Sequence, residues 1–178
     1  MTELVTALTD AAGADSTAGQ RPEDGAHAFD ALFGRWQVRN RKLRDVLDPG
    51  CTEWIEFGAA IEVRPIFNGA GNIDIGQFDY EVPFEGLTVR LYDPETGLWR
   101  IWWASTRQPG QLGEPVLGRF SGGTGVFTAD EELAGQLIRV RFEWTGFAAA
   151  APRWEQSFSY DGGQTWKTNW INTWTPAA

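Results

Sequence analysis

The chain holds one cysteine, one histidine and one methionine among 178 residues. A lone Cys51 makes no internal disulfide, and so few thiols fit a reducing compartment, so a cytoplasmic location is expected. A zinc site draws three or four ligands from His, Cys and carboxylates, and no such cluster is present, so no metal is expected. Ser-His-Asp catalysis would have to recruit His27 from ahead of the first strand-like segment. Basic residues are outnumbered 15 to 24, for a net charge of −9, which argues against nucleic acid as a partner. Arg35, Arg39, Arg41, Lys42 and Arg44 do crowd together, but Arg39 and Arg41 share a strand face with Gln37 and read as solvated exterior. No run approaches the ~20 apolar residues that span a bilayer, so no membrane partner is expected. The first residues carry neither the basic nor the long apolar region of a secretory signal. No glycine-rich loop opens a helix to cradle phosphate, and the successive acids Asp130, Glu131 and Glu132 read as a solvated strand end rather than a calcium site.

Tryptophan is abundant. Trp36, Trp54, Trp99, Trp102, Trp103, Trp144, Trp154, Trp166, Trp170 and Trp174 recur on short alternating segments. From Gly34 onward the apolar period is two, broken by turn residues about every eight to twelve positions, the rhythm of an all-β sandwich or barrel. The strands expected are 35–44, 51–65, 72–79, 86–92, 98–105, 114–121, 124–131, 136–145, 152–160 and 165–174, with a bend or bulge at Gly58 in the second. Asp93-Pro94-Glu95-Thr96-Gly97, Gly122-Gly123 and Asp161-Gly162-Gly163 supply the residues that tight reversals require. About ten antiparallel strands on short links make an up-and-down meander, and closing it into a barrel removes its exposed edges. Residues 1–25 read as a disordered tail and 26–176 as one barrel domain, with Phe29, Leu32 and Phe33 on a short helix plugging one end.

Alternation places Trp99, Ile101 and Trp103 on one face of their strand, opposite Arg100 and Trp102. It likewise groups Ile138, Val140, Phe142 and Trp144, then Trp154, Gln156, Phe158 and Tyr160, then Trp166, Thr168, Trp170, Asn172 and Trp174. Burial of large side chains, worth about 1.5–3 kcal/mol each, turns these faces inward. Polar residues in register with them are the informative ones: Asn40 beside Trp36 and Val38, Glu56 beside Trp54, Ser105, Gln156, Tyr160, Thr168 and Asn172. Each costs free energy if buried without a partner, so each bonds to a neighbour, to water or to a ligand.

Apolar walls with a few convergent polar groups describe a small-molecule pocket. The expected ligand-binding set is Trp36, Asn40, Trp54, Glu56, Trp103, Phe142, Trp144, Gln156, Trp170 and Asn172. Tryptophan faces would stack on a small, largely apolar, aromatic or polycyclic molecule, and Asn40, Gln156 and Asn172 would orient its polar edge. The alternative is a cofactor-independent cyclase or isomerase working by confinement, with Glu56 as acid or base and Tyr160 as a donor. A filled barrel, an interaction module presenting Trp99 and Trp102, and assembly as a homodimer stay open.

Gly34-Arg35-Trp36 at the start of the first strand resembles the Gly-x-Trp signature of the lipocalin and wider calycin superfamily, in which the Trp closes one barrel end. Two departures separate the chain from secreted lipocalins: it has no Thr-Asp-x-Arg turn, and no Arg in its last strand lies across the Trp. Longer stretches also carry a resemblance. These are His27-Ala28-Phe29-Asp30, Cys51-Thr52-Glu53-Trp54, Phe84 to Asp93, and Arg153 to Trp170. They are similar to the DUF1579-type, calycin-like barrels of soil bacteria, which implies a barrel and no established activity. Ser159-x-Asp161-x-Gly163-x-Thr165-Trp166 resembles the Asp-box of sialidases; it occurs once here and reads as a hairpin clasp. Nitrobindin-like barrels are similar in architecture and bind haem through a histidine. This chain offers only His27, outside the strands, so no haem or other cofactor is expected.

Overall fold

The computed structural model describes residues 25–177, so the tail expected over 1–25 lies almost wholly outside the described residues. Ten strands follow in order: β1 Gly34–Leu43, β2 Trp54–Ile66, β3 Gly71–Phe78, β4 Phe84–Asp93, β5 Leu98–Ser105, β6 Val116–Ser121, β7 Thr124–Leu133, β8 Gln136–Thr145, β9 Arg153–Ser159 and β10 Lys167–Pro176. Each pairs antiparallel with the next, and β10 returns to β1 through Trp36↔Pro176 to Lys42↔Trp170, closing the barrel. Among the described residues no helix is long and apolar enough to cross a membrane.

The hairpins form where turn chemistry permits. After β4, the Asp93 carboxylate accepts from the amides of Glu95 and Thr96, and Gly97 takes a φ of 67° that glycine adopts without strain. Between β9 and β10 the expected clasp is present. Ser159 Oγ donates to Asp161 at 2.7 Å, Asp161 accepts from the Thr165 hydroxyl at 2.6 Å, and Trp166 Nε1 donates to the Gly163 carbonyl. These donors hold the Asp161 carboxyl well below the usual carboxylate range, hydrogen bonds from Thr165 contributing most.

The barrel end where β1 begins is its floor, and the end where β1 finishes is its rim. Beneath the floor the expected helix is reduced to one 3-10 turn, Asp30–Leu32. Residues three apart eclipse on such a turn, so Phe29 and Leu32 enter the barrel together, and both are fully buried. The Phe29 ring meets Trp99 and Phe120 edge-on at 5.0 Å each, with Phe127, Trp144 and Phe147 around it. At the rim, β5 and β6 pair only from Trp99↔Gly118 to Ile101↔Val116. Residues 106–115, which include Pro109, Gly110, Gly113 and Pro115, bridge the gap above.

Two departures from the expected pleat decide which side chains look inward. No bulge occurs at Gly58: β2 pairs without interruption from Leu43↔Trp54 to Gly34↔Val63. Phe57, Ala59, Ile61 and Val63 are therefore the inner face, and Trp54 and Glu56 project outward. The irregularity lies instead in β10, between Thr168 and Trp170. It buries Asn169 and leaves Thr168 opposite Ser157 on the outer face, with the two hydroxyls 3.1 Å apart. Trp99 is also a core residue, 1% exposed, whereas Trp102 faces out. Trp102 stands opposite Val89 there, beside the facing pair Ile75 and Leu87.

Candidate functional site

The barrel interior is filled below and hollow above. Near the floor Phe29, Leu32, Trp99 and Phe127 have essentially no exposure. Higher up, Trp103, Phe142 and Gln156 point inward on β5, β8 and β9 yet stay only partly buried, because nothing fills the space they face. That space is a cavity of about 830 Å³. Its wall is a relay of rings: Phe142 meets Trp154 at 4.9 Å, Trp154 meets Trp170 at 5.6 Å, and Trp170 meets Trp103 at 6.4 Å. Each sits on a neighbouring or facing strand, so alternation along four strands builds one aromatic surface. Gly86 on β4 makes room for the last of them. A Cβ there would lie 2.1 Å from Trp103 Cη2, so the indole lies flat on bare backbone.

Polar groups enter this apolar shell at two levels. Towards the floor, Asp74 on β3 and Arg90 on β4 form a buried ion pair at 2.6 Å. The approach is close but poorly aligned, and Asp74 Oδ2 and Arg90 Nε make no hydrogen bond. Arg90 Nη1 donates to Asn72 Oδ1 at 2.9 Å, and its guanidinium lies over the rings of Phe29 and Trp144. Asn172 and Trp174, from β10, also line the cavity, and their Oδ1 and Nε1 atoms are buried without a hydrogen-bond partner among the described residues. Unpaired buried groups cost about 1–3 kcal/mol each, so the floor carries unmet hydrogen-bonding capacity. Near the rim, Lys42 Nζ lies 4.0 Å over the Trp170 ring. Burial, with Arg107 nearby, pushes its ammonium down to about 8. On the opposite wall Glu131 alternates inward from β7, and burial raises its carboxyl. Gln156 Nε2 is occupied by Asn169 Oδ1 at 2.9 Å.

Trp103, Phe142, Trp144, Gln156, Trp170 and Asn172 all line the cavity, as their strand faces predict. Trp36 and Asn40 are inside the barrel but stand off the cavity wall. Trp36 Nε1 donates to the Leu32 carbonyl at 2.7 Å beside Trp174, and Asn40 Oδ1 accepts from Trp170 Nε1 at 3.0 Å. Asn40 therefore orients an indole rather than a ligand edge. Trp54 and Glu56 are corrections. Trp54 stacks under Arg41 on the outside, and Glu56 bonds Arg39 at 2.6 Å and lies 3.4 Å from Arg41. The hydrogen bond and charge of Arg39 hold the Glu56 carboxyl below its ordinary range, the reverse of the raised value an acid catalyst requires. Tyr160 donates to the Val46 carbonyl at 2.8 Å and ties the β9 end to the β1–β2 loop. Burial, then Asp45 and Asp48, raise its phenol. His27 bonds Asp30 on the exposed surface.

The residues missed by sequence reasoning are Lys42, Asp74, Thr88, Arg90 and Glu131. For Lys42 a signal existed, since it continues the inward series Trp36, Val38, Asn40. For β3 and β4 the signal is inverted: Asn72, Asp74, Thr88 and Arg90 face in, while Ile75 faces out and is 55% exposed. A shallow outer depression of about 570 Å³ beside Gly58 offers no comparable site, because its charged residues Arg39 and Glu56 already pair with each other. Among the described residues no group of three His, Cys, Asp or Glu side chains converges to hold a metal.

No family model matches the chain, and no curated protein does. A solved structure does: the crystal structure of Rv2717c from M. tuberculosis superposes with a TM-score of 0.55 at 9% identity, covering 86% of this chain and 98% of that one. At that identity the likeness shows a common fold, an antiparallel β-barrel, and carries nothing about function.

Proposed function

We propose that this protein binds a small, largely apolar, aromatic or polycyclic molecule inside the barrel. The observation that carries the reading is the hollow upper interior: about 830 Å³ walled by indole and phenyl rings above a packed floor. A cavity of that size suits a ligand of a few hundred daltons. Ring faces already fixed by strand pairing stack on a planar ligand at little entropic cost. A calycin-like barrel type is part of the proposal, supported by Gly34 and Trp36 at the opening of β1, where Trp36 seals the floor against Leu32. The cyclase or isomerase reading loses Glu56 as its acid or base, since that carboxylate lies outside the barrel with Arg39. Native mass spectrometry of the protein purified from its own host's lysate tests the binding reading. An adduct of a few hundred daltons, absent from the denatured mass, is the expected result. No adduct, together with tryptophan emission unchanged across a panel of apolar aromatics, would overturn it.

A further inference from the structure

Among the described residues Lys42 is an ammonium without a counter-ion. Of the basic residues described, nine make ion pairs with carboxylates, while Lys42 makes neither a salt bridge nor a hydrogen bond. Its register partners bring no charge: Ile55 lies opposite on β2 and Trp170 on β10. Another cation lies nearby, Arg107 of the β5–β6 loop, which stacks on Tyr80 and Phe84, donates to the Val82 carbonyl at 3.0 Å and stands outside the cavity lining. Asp45 and Asp48 of the adjacent loop turn to their own backbone amides, while Asp130, Glu131 and Glu132 of β7 and Glu114 of the β5–β6 loop border the cavity away from β1, and Asp74 and Arg90 pair at its floor. In a chain of net charge −9, a cavity-lining ammonium therefore stands without an anion among the described residues. Desolvating an ammonium without pairing it is costly, and an arriving anion repays that cost.

We propose that the cavity ligand is an organic anion, an aromatic acid whose carboxylate or equivalent group is held at the rim by Lys42, while its ring system lies among Trp103, Trp154 and Trp170. This rests on the binding reading above. A charge-assisted hydrogen bond contributes about 10- to 100-fold in affinity. Bound anion holds Lys42 protonated, so binding weakens as pH rises through 8 and the free amine loses its proton.

The test uses two dyes of one skeleton, 1-anilinonaphthalene-8-sulfonate and the uncharged N-phenyl-1-naphthylamine, titrated into the full chain and its K42M and K42R variants. In K42M the sulfonate is expected to lose about tenfold or more in affinity while the neutral dye holds within about twofold, and K42R recovers part of the loss. In the unmodified protein, sulfonate affinity falls between pH 7 and pH 10 and neutral-dye affinity does not. That measurement needs no variant and stands even if K42M folds poorly. Binding of the neutral dye with a sulfonate affinity indifferent to both Lys42 and pH would overturn the anion assignment and leave the cavity reading intact. Failure of both dyes to bind the unmodified protein would overturn the two together.

Discussion

Replacing Phe29 by alanine tests whether the floor is a packed seal on which the cavity depends. Phe29 has no exposure and meets five aromatic rings, two of them edge-on at 5.0 Å. It also lies under the Arg90 guanidinium at 5.1 Å. Buried Phe→Ala substitutions cost about 3–5 kcal/mol. The edge-to-face contacts, worth about 0.5–1.5 kcal/mol each beyond area burial, place this one at the upper end. A loss of about 4–5 kcal/mol lowers Tm by roughly 10–20 °C in a domain of this size. Chemical denaturation followed by tryptophan emission reports the free energy, and calorimetry reports Tm. The F29L variant should lose less than half as much, because it keeps most of the apolar bulk and forfeits the ring contacts. A loss under about 1.5 kcal/mol in F29A would refute the argument. It would mean that the 3-10 turn is detached in solution and the floor open.

Three further outcomes follow from the same geometry. Lys42 titrates at about 8 in the fold against 10.5 in an unfolded chain, so between those values the folded state holds fewer protons and stability rises with pH. Relative to K42M, the unmodified protein should gain about 2–3 kcal/mol of unfolding free energy between pH 7 and pH 10; parallel curves for the two proteins would place Lys42 in water. Glu56→Gln should leave dye affinity unaltered and Tm within about two degrees, because its ion pairs are exposed; a large loss of binding would return Glu56 to the cavity. Gly86→Ala drives the Trp103 ring into the ligand space, costing about 1–3 kcal/mol of stability and about tenfold in neutral-dye affinity. Unchanged affinity, measured by titration of the folded variant, would show that Trp103 does not bound that space.

Element existence and order were legible because turn chemistry and period-two alternation agree along the chain. All ten strands appear within a few residues of where Gly, Pro and Asp punctuate the sequence, and the Asp161 clasp forms as its Ser, Gly and Thr spacing requires. Six cavity residues were legible for the same reason: β5, β8 and β9 are amphipathic and unbroken. Glu56 and Trp54 were not, because a strand's faces are assigned in phase. A bulge assumed at Gly58 that the pairing does not contain, and a start at 51 rather than 54, leave the parity of β2 to be settled by its partner β1. Thr168 fails in the opposite sense, turned out by a real bulge that no glycine announces.

The order of residues alone specifies an all-β chain that must close: many short alternating segments, tight links and more aromatic rings than a flat sheet can cover. The polarity of the interior is set by strand pairing across the barrel. On β3 and β4 alternation is as regular as elsewhere, but Ile73, Ile75, Leu87, Val89 and Leu91 face out, while Asn72, Asp74, Thr88 and Arg90 share the inner face with Phe78 and Phe84. A local pattern carries the period of burial and not its sign. The sign comes from pairing with β2 and β5, whose inner faces leave β3 and β4 one register each. The cost of burying Arg90 is offset by Asp74, which stands 16 residues away in sequence and 2.6 Å away in space. Lys42, too, acquires its character from distance: only closure of β10 onto β1 sets Trp170 beneath its ammonium and places both at the mouth of a cavity.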